Sequence, residues 1–416
     1  MRRAFLAACV IFTCACQSSH PDPVREYIRL AAALGERDPQ SLDYYFGPSD
    51  WVKDVQEHPP AFAEIAKEGQ RLADGAGNDF LRKQAHAVSL RASMLTGKRL
   101  SFDEEAKALF DLPPIEPADT RHLDEIRLQV AKLLPGQGSV AVRYDAFERR
   151  LLVPEDRISA VMDAAVKECR ARTIKHVDLP AGESIETHWV QDRPWSAFSR
   201  YEGNSHSDVK WNADFGLTVD RALQLACHET YPGHHVHSVL IDQELVQKGK
   251  RLEFLIQPTF SPQSFLSEAL ASYGVDLAFT PEERAQFQRD VLYPAAGITG
   301  INAASDASRE FKIARLMDEL ELGQVDIARE FLDGRLEFAR AAERLEREVL
   351  MAHAEGTLKY LNQYRSYMLG YTIGKAMVRS CFENAQDKWQ LFQQLLLREV
   401  SLPLCQAQGT AIRQIR

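Results

Sequence analysis

Between Val24 and Arg172 apolar side chains recur every three or four residues, as in Leu81, Ala85, Val88 and Leu90, or Ile158, Val161, Met162 and Ala165. That spacing places them on one face of a helix with 3.6 residues per turn, so this part of the chain is constrained to helices that meet through apolar stripes. Breaks fall at Gly47-Pro48, Pro59-Pro60, Pro113-Pro114 and Pro135-Gly136, where proline and glycine interrupt the period. Near residue 180 the character changes. Glu186 to Trp195, Phe198 to Glu202 and Val209 to Phe215 are rich in aromatic and β-branched residues, and Gly203-Asn204 is a turn signal, which predicts a small sheet. Thr218 then offers an N-cap to a helix whose buried stripe is Val219, Ala222, Leu223 and Ala226. Helical spacing returns from residue 250 to about 400, with starts at Ser261-Pro262 and Thr280-Pro281. The expected fold is mainly α: a multi-helical scaffold with a small β-sheet ahead of one central helix.

The first residues read as a targeting segment. Arg2 and Arg3 precede an apolar run, Ala4 to Phe12, too short to span a bilayer. Thr13-Cys14-Ala15-Cys16 follows and is similar to a bacterial lipobox, with Thr13 where leucine is usual. The expected organisation is therefore a signal peptide over 1–15, a lipidated Cys16 with a polar tether to residue 23, an N-terminal helical region over 24–175, and a second region over 176–416 continuous with it. Gln17 resembles the pattern passed to the outer membrane, so the expected location is its periplasmic face. Removal of residues 1–15 takes the net charge from -9 to -11, because two arginines and no acid are lost. An acidic chain of this kind lacks the basic surface that nucleic-acid phosphates require. In an oxidising envelope Cys381 and Cys405 could pair around a helix, while Cys227 reads as a small core residue.

Function is concentrated in residues 228–235, His-Glu-Thr-Tyr-Pro-Gly-His-His. The first two residues open like H-E-x-x-H, in which two histidines four apart hold zinc and the glutamate activates water. Pro232 stands where the second histidine belongs. Proline removes a backbone donor and glycine admits unusual dihedrals, so the helix is expected to break and re-aim a later imidazole. His234 is favoured as second ligand, with His235 as the alternative and the other imidazole left to face substrate or support the site. Five of the twelve histidines (206, 228, 234, 235 and 237) fall between residues 206 and 237, of which His206 and His237 read as polar surface. A catalytic zinc takes three protein ligands and keeps one position open. Glu268, a carboxylate among apolar and small residues in Phe265-Leu266-Ser267-Glu268-Ala269-Leu270, is the best third ligand.

The string H-E-x-x-P-G-H-H followed by a glutamate helix resembles the bacterial family known as domain of unknown function 885, which is grouped with the gluzincin metallopeptidases. Of that family's E-G-W-A-L-Y-A-E stretch, Glu268, Ala271 and Tyr273 coincide here; of R-Y-P-G-Q-A-L-S-Y-x-I-G, Tyr364, Leu369, Tyr371, Ile373 and Gly374 coincide. The resemblance spans roughly residues 180–380 and is strong only at the octapeptide. It implies a zincin-like fold and a zinc metallopeptidase acting on a peptide or small amide. Zn2+ would sit on His228, His234 and Glu268. Glu229 would be the general base, with Tyr371 first and His235 second as donor to the oxyanion. The strand Val209 to Phe215 is expected to hold an extended substrate by edge pairing. The competing expectation is a non-catalytic lipoprotein that binds metal or peptide.

Overall fold

A computed structural model describes residues 22–298, 303–352, 354–383 and 385–397. The signal segment, Cys16 and Cys405 lie outside the described residues. Helices dominate, and one apolar core runs from Tyr27 to Leu396. Helices Pro23–Arg37, Phe62–Gly75 and Asp79–Leu95 pack against one another at the N-terminal end, each burying an apolar stripe. Among the described residues no helix is long and apolar enough to cross a membrane.

Five short strands complete the described structure: β1 (Leu42–Tyr45), β2 (Ser184–Val190), β3 (Ala197–Gly203), β4 (His206–Asn212) and β5 (Ile256–Pro258). β1 pairs antiparallel with β5, Leu42 opposite Pro258 and Tyr45 opposite Ile256, which brings the N-terminal region beside the site. The other three form a sheet in the order β2-β4-β3, with β2 parallel and β3 antiparallel to β4. The expected hairpin turn is present, with Gly203, Asn204 and Ser205 all at positive φ. The expected substrate strand is not. β4 is central, so both of its edges are already hydrogen-bonded and it has no free edge to offer over Val209 to Phe215. It also stops at Asn212, whose side-chain amide turns to the carbonyls of Arg193 and Trp195, both at 2.9 Å.

Thr218 caps helix Val219–Glu229 as expected, accepting from the Arg221 amide at 3.2 Å. Such a cap contributes about 1 kcal/mol. Helix Pro262–Ala278 runs through the middle of the molecule and is buried along nearly its whole length. Buried ions join the ends of these two helices remote from the octapeptide. Arg284 donates to both oxygens of Asp220, at 2.6 Å each, and reaches Asp276 at 3.4 Å. Arg379 in turn bridges Asp276 at 3.0 Å and Asp318 at 2.7 Å. Cys227 is fully buried, as a core residue would be, but it is not a free thiol: it forms a disulfide with Cys169, fastening the site helix to helix Ile158–Thr173. Cys381 is also disulfide-bonded.

Candidate metal centre

The helix carrying His228 and Glu229 ends at Glu229, with Thr230 as its C-cap, and a new helix begins at His234 and runs to Leu240. Between them Tyr231-Pro232, a cis peptide, and Gly233 fold the chain back over the helix end. The Gly233 amide donates to the Cys227 carbonyl at 3.0 Å. This return is so tight that a β-carbon on Gly233 would lie 1.7 Å from the His228 carbonyl oxygen, which only glycine avoids. The break brings the imidazole of His234 back to that of His228, their Nε2 atoms 3.2 Å apart.

His228, His234 and Glu268 meet there, their ligating atoms all within 4.8 Å of one another. His234 Nε2 lies 3.2 Å from His228 Nε2 and 2.7 Å from Glu268 Oε1, and His228 Nε2 lies 3.3 Å from the same oxygen. Glu268 is 2% exposed, yet its second oxygen has no hydrogen-bond partner. Burial alone would lower the His234 pKa, but the hydrogen bond and charge of Glu268 outweigh it and hold the imidazole at about 9. Glu268 is held well below the carboxylate range by the two imidazoles, against its own burial. Two imidazole nitrogens that face each other over a buried carboxylate, one of whose oxygens has no hydrogen-bond partner, are a donor set that could hold a cation.

Glu229 follows His228 directly. Its Oε1 lies 3.9 Å from His228 Nε2, it is buried, and that burial raises its pKa. Tyr371 stands across the cluster, its ring stacked on that of His228 with centroids 6.0 Å apart. Water reaches 37% of its surface, as it would a cleft wall. Its phenol is pushed well above the usual value, by enclosure and then by Glu268. Tyr371 lies on a π-helical turn, Gly370–Gly374, that presses against helix Pro262–Ala278; a β-carbon on Gly370 would come within 2.7 Å of that of Glu268.

His235 is turned away from the cluster. It is fully buried and both ring nitrogens are engaged, Nδ1 with Ser207 Oγ at 2.8 Å and Nε2 with Glu183 Oε2 at 3.0 Å. It can neither ligate nor face a substrate in this arrangement. His237, expected at the surface, is also buried, with Nδ1 3.1 Å from Ser267 Oγ. His206 stays on the sheet, 3.0 Å from Ser184 Oγ.

Two supporting residues escaped the sequence reading. Glu183 gathers His235, the Tyr231 hydroxyl at 2.7 Å and Arg170 at 2.8 Å, and so fastens both sides of the Pro-Gly return. Ser267 lies 3.2 Å from His234 Nδ1. Ser267 adjoins Glu268 in sequence and could have been noticed. Glu183 belongs to no recognisable spacing.

No protein-family profile matches the chain, and neither does any curated protein. Among solved structures, the crystal structure of a candidate lipoprotein from Colwellia psychrerythraea is similar, with a TM-score of 0.50 at 15% identity over 86% of this chain and 70% of that one. At that identity the likeness concerns the fold alone.

Proposed function

We propose that this protein is a zinc-dependent hydrolase that cleaves peptide bonds, a divergent relative of the gluzincin-like family known as domain of unknown function 885. The observation that carries the reading is the convergence of His228 Nε2, His234 Nε2 and Glu268 Oε1 beside a buried Glu229. The three residues fit a zinc site in ligand type and number, and the orphaned Glu268 oxygen is the buried polar atom such an ion would satisfy. Zinc bound there would polarise a substrate carbonyl and make a water acidic enough to ionise near neutral pH. Glu229 receives the proton of the attacking water on its carboxylate and passes it to the leaving amine nitrogen. Burial suits it to both tasks, because a raised pKa brings acid and base forms closer to working pH. Tyr371 donates its hydroxyl proton in a hydrogen bond to the oxygen that gains negative charge. The lipobox-like segment ending at Cys16 supports a lipid-anchored place in the bacterial envelope.

Metal analysis of purified protein and peptide hydrolysis by Glu229→Gln test the reading together. Stoichiometric zinc with hydrolysis lost in the variant is expected. Protein without zinc removes the foundation. Zinc with no hydrolysis at all would favour a metal-binding lipoprotein, and unchanged hydrolysis in the variant would remove Glu229 as the base. For the anchor, Cys16→Ser should release the protein from membranes.

A further inference from the structure

A second carboxylate lies one helical turn from Glu268. Ser264 and Glu268 share a face of helix Pro262–Ala278, four residues and about 6 Å apart along the axis. The Ser264 hydroxyl donates to Asp43 Oδ2 at 3.1 Å. Asp43 arrives on β1 and also accepts from Gln257 Nε2 at 2.9 Å and Thr259 Oγ1 at 2.6 Å. All three donors are neutral. Arg91, on the same side of the molecule, is committed to Asp38 at 2.7 Å. Asp43 is only partly buried; Ser264, which donates to it, also lies 3.3 Å from the Tyr367 hydroxyl, and the Asp43 charge reaches Tyr364 and Tyr367.

Those tyrosines belong to a stripe. Tyr360, Tyr364, Tyr367 and Tyr371 recur at intervals of four, three and four residues, and successive ring centroids lie 4.5, 6.1 and 6.0 Å apart. The stripe runs from the neighbourhood of Asp43 to the ring of His228. Both amide atoms of Gln263, the residue before Ser264, are buried without a hydrogen-bond partner. Aromatic faces beside a carboxylate that lacks a cation make a site for an ammonium group, which gains from the ring faces and the charge at once.

We propose that Asp43 and the tyrosine stripe bind the free amino end of a short peptide whose scissile bond lies at His228, His234 and Glu268. The proposal rests on the peptidase reading above. One or two residues of extended chain span about 3.5–7 Å, which matches the helical turn between Ser264 and Glu268. An amino terminus held at that distance makes the protein exo-acting, removing one or two residues from the amino end.

The test uses zinc-loaded full-length protein and three peptides: trialanine with a free amino end, the same peptide acetylated, and acetyl-lysyl-alanyl-alanine. The expected result is that the free peptide is preferred roughly tenfold or more in kcat/KM, as suits a hydrogen-bonded charge pair. Asp43→Asn and, independently, Tyr364→Leu should collapse that ratio. Calorimetric binding of the same peptides to Glu229→Gln provides a readout that needs no turnover. If no peptide is cleaved but free trialanine still binds with an Asp43-dependent preference, the subsite stands and the peptidase reading falls. Equal treatment of free and acetylated peptides, or a ratio unaltered in Asp43→Asn, overturns the subsite. If the acetyl-lysyl peptide ranks with the free one, the cation is a side chain and the exo-acting assignment is overturned.

Discussion

The hydroxyl of Ser267 lies 3.2 Å from Nδ1 of His234, on the ring edge opposite His228 and Glu268. An imidazole that gives its Nε2 lone pair to a metal must carry its proton on Nδ1, and Ser267 is the acceptor that fixes that tautomer. The same hydroxyl can then donate to His237 Nδ1 at 3.1 Å, which explains why a buried histidine that touches no substrate sits there. Ser267→Ala is expected to weaken zinc binding about 10–100-fold. Competition with a chromophoric chelator measures this, and an affinity within twofold of the parent's would sink the idea.

Gly233 makes a sharper demand. Gly233→Ala would place a methyl group 1.7 Å from the His228 carbonyl oxygen, so the Pro-Gly return must open. Opening it withdraws His234 from Glu268. The expected outcome is loss of stoichiometric zinc together with destabilisation of more than about 3 kcal/mol. Retention of full metal content by the folded variant would show that the return has room that the structure does not display.

The architecture was legible in the sequence wherever a periodic pattern carried it. Helical spacing and the caps at Thr218 and Ser261 marked the site helices, and Gly203-Asn204 marked the hairpin. The octapeptide and Glu268 were readable because unusual residue types stood close together or in apolar surroundings. What escaped was set by contacts distant in sequence. Periodicity within a strand cannot reveal which neighbour covers its edge, so Val209 to Phe215 reads as an available strand although β2 and β3 flank β4. The pairing of Cys169 with Cys227, 58 residues apart, leaves no local trace, and neither does the reach of Glu183 to His235. The doublet was ambiguous for the same reason: only the position of Ser207 and Glu183 decides that His235 turns inward.

Arg284 supports the site at long range. It lies on helix Pro281–Phe287 and joins Asp220 to Asp276, each eight residues from a proposed ligand on its own helix, so it locks the two helices side by side. Arg284→Met would leave Asp220 as a buried carboxylate answered only by the neutral amides of Gln224 and Gln288 among its side-chain partners, and a loss of about 3–5 kcal/mol is expected in chemical denaturation. Replacing Asp220 by leucine as well should restore much of that loss, because the pair removed together leaves no orphaned charge. A double variant no more stable than the single would mean that the ion pair itself, and not the avoidance of a buried charge, holds the helices.

Glu183 gives the fold an acid limit that can be measured. Burial would raise its carboxyl, but hydrogen bonds from His235, Tyr231 and Arg170 prevail and bring it from an ordinary 4.5 down to about 2. A carboxyl whose folded pKa lies below its unfolded value stabilises the fold when ionised. Its contribution is therefore complete above the ordinary value of 4.5 and is lost as pH falls through that range toward about 2. Glu183→Gln removes this titration while keeping the size of the side chain. The stability gap between parent and variant should be constant at neutral pH and shrink steadily below about pH 4.5. Denaturation midpoints of both proteins at pH 7, 5, 4 and 3 provide the comparison. A gap that stays constant to pH 3 would mean that Glu183 holds Tyr231 and His235 through shape and neutral hydrogen bonds, and that its charge contributes nothing to the return that delivers His234.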